Sequence, residues 1–125
     1  MTAERLLFLL MRLNAAILLF AAPCALLPFA WMDAVHREAV GLGSLPEIPI
    51  TKYMARSLSL VYATHGLVVL FVTLNWERLR FTVPFFAWLH VVFGAAMFAV
   101  DLDARMPWWW TVAEGPSLVA FGLVV

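Results

Sequence analysis

Two histidines, His65 and His90, are the side chains whose spacing most invites chemistry. Each sits inside an apolar run, and the turn between the runs centres on Glu77–Arg78, twelve to thirteen residues from either ring. In an antiparallel hairpin both rings reach nearly the same depth, where paired imidazoles are familiar axial ligands of a haem or part of a metal site. Two arguments oppose that reading. Helices joined by a tight turn pack at ~8–10 Å, too close to admit a haem between its ligands. His65 also lies off the helix face that carries Arg56 and Gly66. No further His, Cys or carboxylate occurs at that depth to complete a metal site. Hydrogen-bonded buried histidines are therefore the expectation, with no cofactor and no metal. A haem-binding electron carrier using His65 and His90, with Tyr62 close by, is an alternative.

The second candidate group is charged. Arg56, Asp101, Asp103, Arg105 and Glu114 belong at one end of any antiparallel helix bundle built from this chain. Glu114 lies six residues past Trp108, which is ~9 Å of helix. A charge at that depth needs protein, water or a partner beside it, and ionisable residues there are functional candidates by default. Arg56 is the natural counter-ion for Glu114, which gives a structural lock between the second and fourth spans. The functional reading of Arg56, Asp101 and Glu114 is a small proton, ion or ligand pocket around the break that Pro116 imposes. The chain would then be a small transporter or ligand-binding membrane protein.

Four apolar stretches must position these residues: Leu6–Trp31, Tyr53–Trp76, Phe81–Val100 and Trp108–Val125. A crossing needs about 20 mainly apolar residues to cover ~30 Å of hydrocarbon. The spacing predicts an all-α integral membrane four-helix bundle forming one domain, with a short interfacial helix in the first connection. Composition agrees: 65% hydrophobic and 13% charged residues, against about 45–50% and 25% in soluble domains. The zero net charge argues against a nucleic-acid partner or a polybasic lipid-binding tail. Cys24 is the only cysteine, so an intrachain disulfide is excluded. The first stretch is too long for a cleaved signal core and is expected to be an anchor.

Tryptophans mark the span ends at Trp31, Trp76 and Trp108–Trp110, where the ring prefers the headgroup layer. Trp88 falls well inside the third span and is expected to pack between helices. Pro23 and Pro28 should bend the first helix, and Thr51 is a candidate cap for the second. Residues 34–40 should form the interfacial helix, stopped by Gly41 and Gly43. Pro46 and Pro49 then impose an extended stretch. His36, in this connection, carries no signal.

Ser59, Ala63 and Gly66 recur at helical spacing with Arg56 on the second span, and Ala87, His90, Gly94, Met97 and Asp101 on the third. Small residues on one face let helix backbones approach, so both stripes read as packing surfaces. Lys and Arg tie at four on each side of the bundle. The compact Arg78–Arg80 turn and Arg5 favour both termini in the cytoplasm of a bacterial inner membrane.

The strings Tyr53-x-x-Arg56-Ser57-Leu58-Ser59-x-x-Tyr62-Ala63-x-His65-Gly66 and Glu114-Gly115-Pro116 resemble those of small uncharacterised bacterial four-helix membrane proteins. The layout also resembles the DoxX-like group. Both resemblances imply the four-helix fold and no particular activity. The carboxylate that a small multidrug exporter carries in its first helix has no counterpart past Glu4, and the cysteine pairs of quinone-linked disulfide enzymes are missing. No metalloprotease, P-loop or nucleophile-elbow motif occurs. The expectation is a non-catalytic accessory or structural subunit of a larger membrane complex, with membrane lipid and either other subunits or further copies of itself as partners.

Overall fold

In hydrocarbon every backbone N–H and C=O must be paired inside the chain, which leaves helices as the simplest solution for runs this apolar. The computed structural model describes residues 2–125 and is helical, with no strand among them. In order come α1 (Ala3–Leu19), α2 (Ala21–Cys24), α3 (Phe29–Ala34), a π-helical turn (Val35–Ala39), α4 (Pro49–Leu74), α5 (Trp76–Leu79), a 3-10 turn (Arg80–Thr82), α6 (Val83–Asp103), α7 (Trp108–Ala113) and α8 (Gly115–Val124). Three stretches are long and apolar enough to cross a membrane: Ala3–Cys24, Pro49–Leu74 and Trp76–Asp103. The chain divides into two units, Phe8–Leu74 and a second made of Asn75–Val125 with the residues up to Leu7.

In the Phe8–Leu74 unit, the first apolar stretch is not one continuous helix to Trp31. Pro23 has no N–H to offer the Leu19 carbonyl, and α1 gives way to the short α2 there. Pro28 does more than bend the chain. Pro28 itself is extended (φ −56°, ψ 140°), and the helix restarts at Phe29. Gly66 of α4 fits against α1: a Cβ on it would stand 3.0 Å from both Leu18 Cβ and Leu19 N. Met11, Ala15, Ala63, Val69 and Val72 are buried in the same unit. Pro49 opens α4, a place where its missing N–H costs nothing, so Thr51 lies within the first turn and is not the cap.

The connection before α4 is tied down by its own side chains. Asp33 Oδ1 accepts from the Leu45 amide at 2.7 Å, and His36 Nδ1 lies 2.6 Å from the Gly43 carbonyl. Arg37 bridges Asp33 and Glu38. The Glu38 hydrogen bond, then the Asp33 charge, hold that guanidinium above the usual arginine range. Gly41 and Gly43 both take positive φ (72° and 84°), the conformation that ends a helical stretch most cheaply in glycine.

In the other unit, α6 and α8 run antiparallel in fixed register. Gly94 faces Gly115; seven residues back on α6, Ala87 faces Gly122, seven residues forward on α8. A Cβ on Gly94 would stand 2.6 Å from the Gly115 carbonyl oxygen, and the reverse distance is the same. Backbone thus meets backbone, and no side chain fits between. At the other end of this unit, Glu4 accepts from Arg80 and from Trp76 Nε1. The start of α1 and the Trp76–Thr82 connection therefore share an end.

Gly94→Ala should lower stability by about 1–3 kcal/mol, because overpacking here can be relieved only by moving backbone. Ala95→Leu, one residue away on an exposed face, should stay within about 0.5 kcal/mol. Unfolding of the detergent-solubilised protein, followed by helical circular dichroism, measures both. Equal losses would show that α6 does not use Gly94 as its contact.

Candidate functional site

Glu114 interrupts the last apolar run. Its backbone (φ −78°, ψ −76°) ends α7, and Gly115-Pro116 starts α8. Pro116 cannot donate to the Val112 carbonyl, and the break forms where that bond is lost. The Glu114 carbonyl is occupied: it accepts from the Leu118 amide at 3.3 Å and the Ser117 hydroxyl at 2.9 Å. Its carboxylate accepts from Trp110 Nε1, one turn earlier on the same run. The Glu-Gly-Pro sequence therefore carries a packing role that its polar appearance hides. It places Gly115, and through it Gly122, against α6.

Asp101 is the unusual polar residue of this unit. It is 3% exposed, and its Oδ2 meets no hydrogen-bond donor among the described residues. The helix ends just beyond it. Arg105 takes a left-handed conformation (φ 55°); its amide reaches the Leu102 carbonyl at 3.3 Å and the Met106 amide reaches the Asp101 carbonyl at 2.9 Å. These two bonds are those of a Schellman cap. Arginine in place of glycine at that position is uncommon. Thr111, the buried hydroxyl of α7, donates to the Pro107 carbonyl at 3.4 Å. It is committed to its own helix.

His90 is buried, 6% exposed. Its Nδ1 stands 2.7 Å from the Phe86 carbonyl, and because a carbonyl only accepts, that nitrogen carries the hydrogen. The Phe121 ring of α8 lies 4.9 Å away, centroid to centroid, and fills the space on that side. Gly94 lies one turn along the same stripe, buried on α8; Met97 is half-buried. Trp88 departs from expectation. It is 70% exposed, because the Phe86–His90–Gly94 side of α6 meets α8 and the indole projects from another side.

In the Phe8–Leu74 unit, Ala63 and Gly66 are buried, Ser59, Tyr62 and His65 are half-buried, and Arg56 is exposed. The Ser59 hydroxyl donates to the Ala55 carbonyl at 2.8 Å, so it serves its own helix and does not bond across. Arg56 shares a shallow cleft with Lys52, Tyr53, Ser57 and Leu60. No described residue of its unit forms an ion pair with it, whereas Lys52 pairs with Glu47 at 2.8 Å and lies over the Phe29 ring. Arg56 and Glu114 belong to different units, as do His65 and His90. Sequence reasoning missed His36 and Asp33 as the ties of the connection. A carboxylate and an imidazole just ahead of two glycines was the available signal.

A buried acceptor without a donor costs about 1–3 kcal/mol. Asp101→Ala removes the orphaned oxygen, and the purified protein in detergent should unfold at an equal or higher midpoint. A midpoint lowered by several degrees would mean that Oδ2 is satisfied in the native membrane protein by a bound group.

Comparison of the chain with protein-family models, with curated proteins and with solved structures gives no match.

Proposed function

We propose that this chain is an integral membrane protein of four crossings, the broken Trp108–Val124 run being the fourth, and that it serves as a non-catalytic accessory or structural subunit of a larger membrane assembly. One observation carries the subunit reading. Trp88 lies about 10 Å inside the third apolar stretch, counted from Phe81, yet it is 70% exposed. An indole at that depth would hold its N–H in hydrocarbon, whereas tryptophan in lipid prefers the headgroup layer. Phe85 and Val92 are exposed beside it at spacings that put all three on one side of α6. A partner helix offering a carbonyl or hydroxyl satisfies the indole; acyl chains do not.

The orientation follows the arginines. The compact Arg78–Arg80 turn and Arg5 favour both termini in the cytoplasm of a bacterial inner membrane. A second reading, a small transporter or ligand-binding protein, is favoured by the orphaned Asp101 oxygen and the helix break at Glu114.

In a Cys24→Ala background, single cysteines at positions 77 and 125 should react with a membrane-impermeant maleimide from the same side, and one at position 103 from the other. Labelling of 103 and 125 from one side rejects the fourth crossing. Trp88→Ala should weaken recovery of copurifying membrane partners roughly 30-fold, as removing a central aromatic anchor costs about 2 kcal/mol or more. Trp31→Ala, exposed at a span end, should leave recovery unchanged. If Trp88→Ala copurifies the same partners at the same yield, the subunit reading fails.

A further inference from the structure

We infer that the cleft on α4 formed by Lys52, Tyr53, Arg56, Ser57 and Leu60 binds the phosphate of an anionic phospholipid headgroup. This rests on the membrane reading above and assigns Arg56 a partner other than Glu114. The first support is position round the helix. These five residues fall within an arc of about 140°, and the buried stripe centred on Gly66 and Val69 points roughly 140° away. The cleft therefore faces outward from its unit, consistent with the exposure of Tyr53 and Arg56.

Depth is the second support. From Ser57 to Leu74 α4 has no Asp, Glu, Lys or Arg for 18 residues, which is ~27 Å of helix against ~30 Å of hydrocarbon. Arg56 thus stands at the hydrocarbon edge, and Lys52 one turn, ~5–6 Å, further out. That is the layer in which lipid phosphates lie. Tyr53, 69% exposed, sits at the same level, where an aromatic ring with a polar tip is at home.

Chemistry is the third. Arg56 has no anionic partner in its unit, and its planar fork matches two phosphate oxygens. Lys52 is held beside it by Glu47 and the Phe29 ring, so the second cation is already positioned. Leu60 closes the inner end of the cleft with an apolar surface, which suits the start of an acyl chain and offers a soluble anion nothing. The exposed Val61 extends that surface.

The test uses the full chain, delipidated in non-ionic detergent, with phosphatidylglycerol or phosphatidylcholine titrated in and adducts counted by native mass spectrometry. Phosphatidylglycerol should bind several-fold more tightly than phosphatidylcholine. Arg56→Gln and Lys52→Gln should each lower its affinity about fivefold, the share expected of one basic residue at a lipid surface. Arg78→Gln, an exposed arginine on α5, should leave it unchanged, and circular dichroism should show the same helicity in all variants. Equal binding of the two lipids, unaltered affinity in Arg56→Gln, or displacement by equimolar inorganic phosphate overturns the lipid site. A chain that stays monodisperse without any detergent overturns the membrane reading itself, and the site with it.

Discussion

The contact on which the Asn75–Val125 unit depends is backbone against backbone, Gly94 on Gly115. In water two apolar helices are driven together by the surface they hide. In lipid that drive is missing, and association rests on dispersion and on how closely the helices can approach. The glycines permit that approach twice on α8, at Gly115 and at Gly122. The broken turn at Glu114 belongs to the same arrangement. It begins α8 at Gly115 itself, so that the close contact starts with the first residue of the helix. Trp110, by donating to the Glu114 carboxylate, ties the residue at the break back to α7.

The sequence made the helical class legible, with three stretches long and apolar enough to cross a membrane, because long apolar runs leave the backbone few other options. The glycine stripes were legible as well: Gly66 and Gly94 stand at packed positions. Gly115 was hidden by its neighbours. Beside a glutamate and a proline it reads as part of a polar break, and only the register with α6 shows that it is a contact residue. Trp88 was misplaced for a related reason. Helix α6 is apolar on every side, so periodicity cannot say which side meets another helix, and the largest side chain looks like the best candidate for burial. The structure puts Phe86, His90 and Gly94 there. In the first stretch the prolines were legible as disturbances, but the severity of each was not. Whether a proline bends or ends a helix depends on whether nearby donors reach the freed carbonyl. At Cys24 only a 3.4 Å bond from Leu27 does so.

The polar side chains of the apolar stretches follow one rule. Hydroxyls and the His90 ring nitrogen donate to carbonyls three or four residues earlier: Ser59 to Ala55, Thr73 to Leu70, Thr111 to Pro107, Ser117 to Glu114, and His90 to Phe86. A helix always has carbonyl lone pairs to spare, so a donor can be buried almost anywhere along it. Acceptors have no such option, since the interior amides of a helix are already committed. A carboxylate must therefore find a donor at a helix end, in a loop, or on another side chain. Glu4 finds Arg80 and Trp76, Asp33 finds the Leu45 amide, and Glu114 finds the Trp110 indole.

Two atoms break the rule, and both are acceptors: Oδ1 of Asn14 and Oδ2 of Asp101. Neither breaks it by accident of packing, because each sits on a stretch of helix whose amides are used. Asn14 can in principle turn its amide group and donate, as the hydroxyls do. Asp101 cannot. Its position one turn before the Schellman cap gives its backbone carbonyl a donor in the Met106 amide and leaves the side-chain oxygen without one. Of the two orphaned acceptors among the described residues, the Asp101 oxygen is the one that its own helix cannot satisfy.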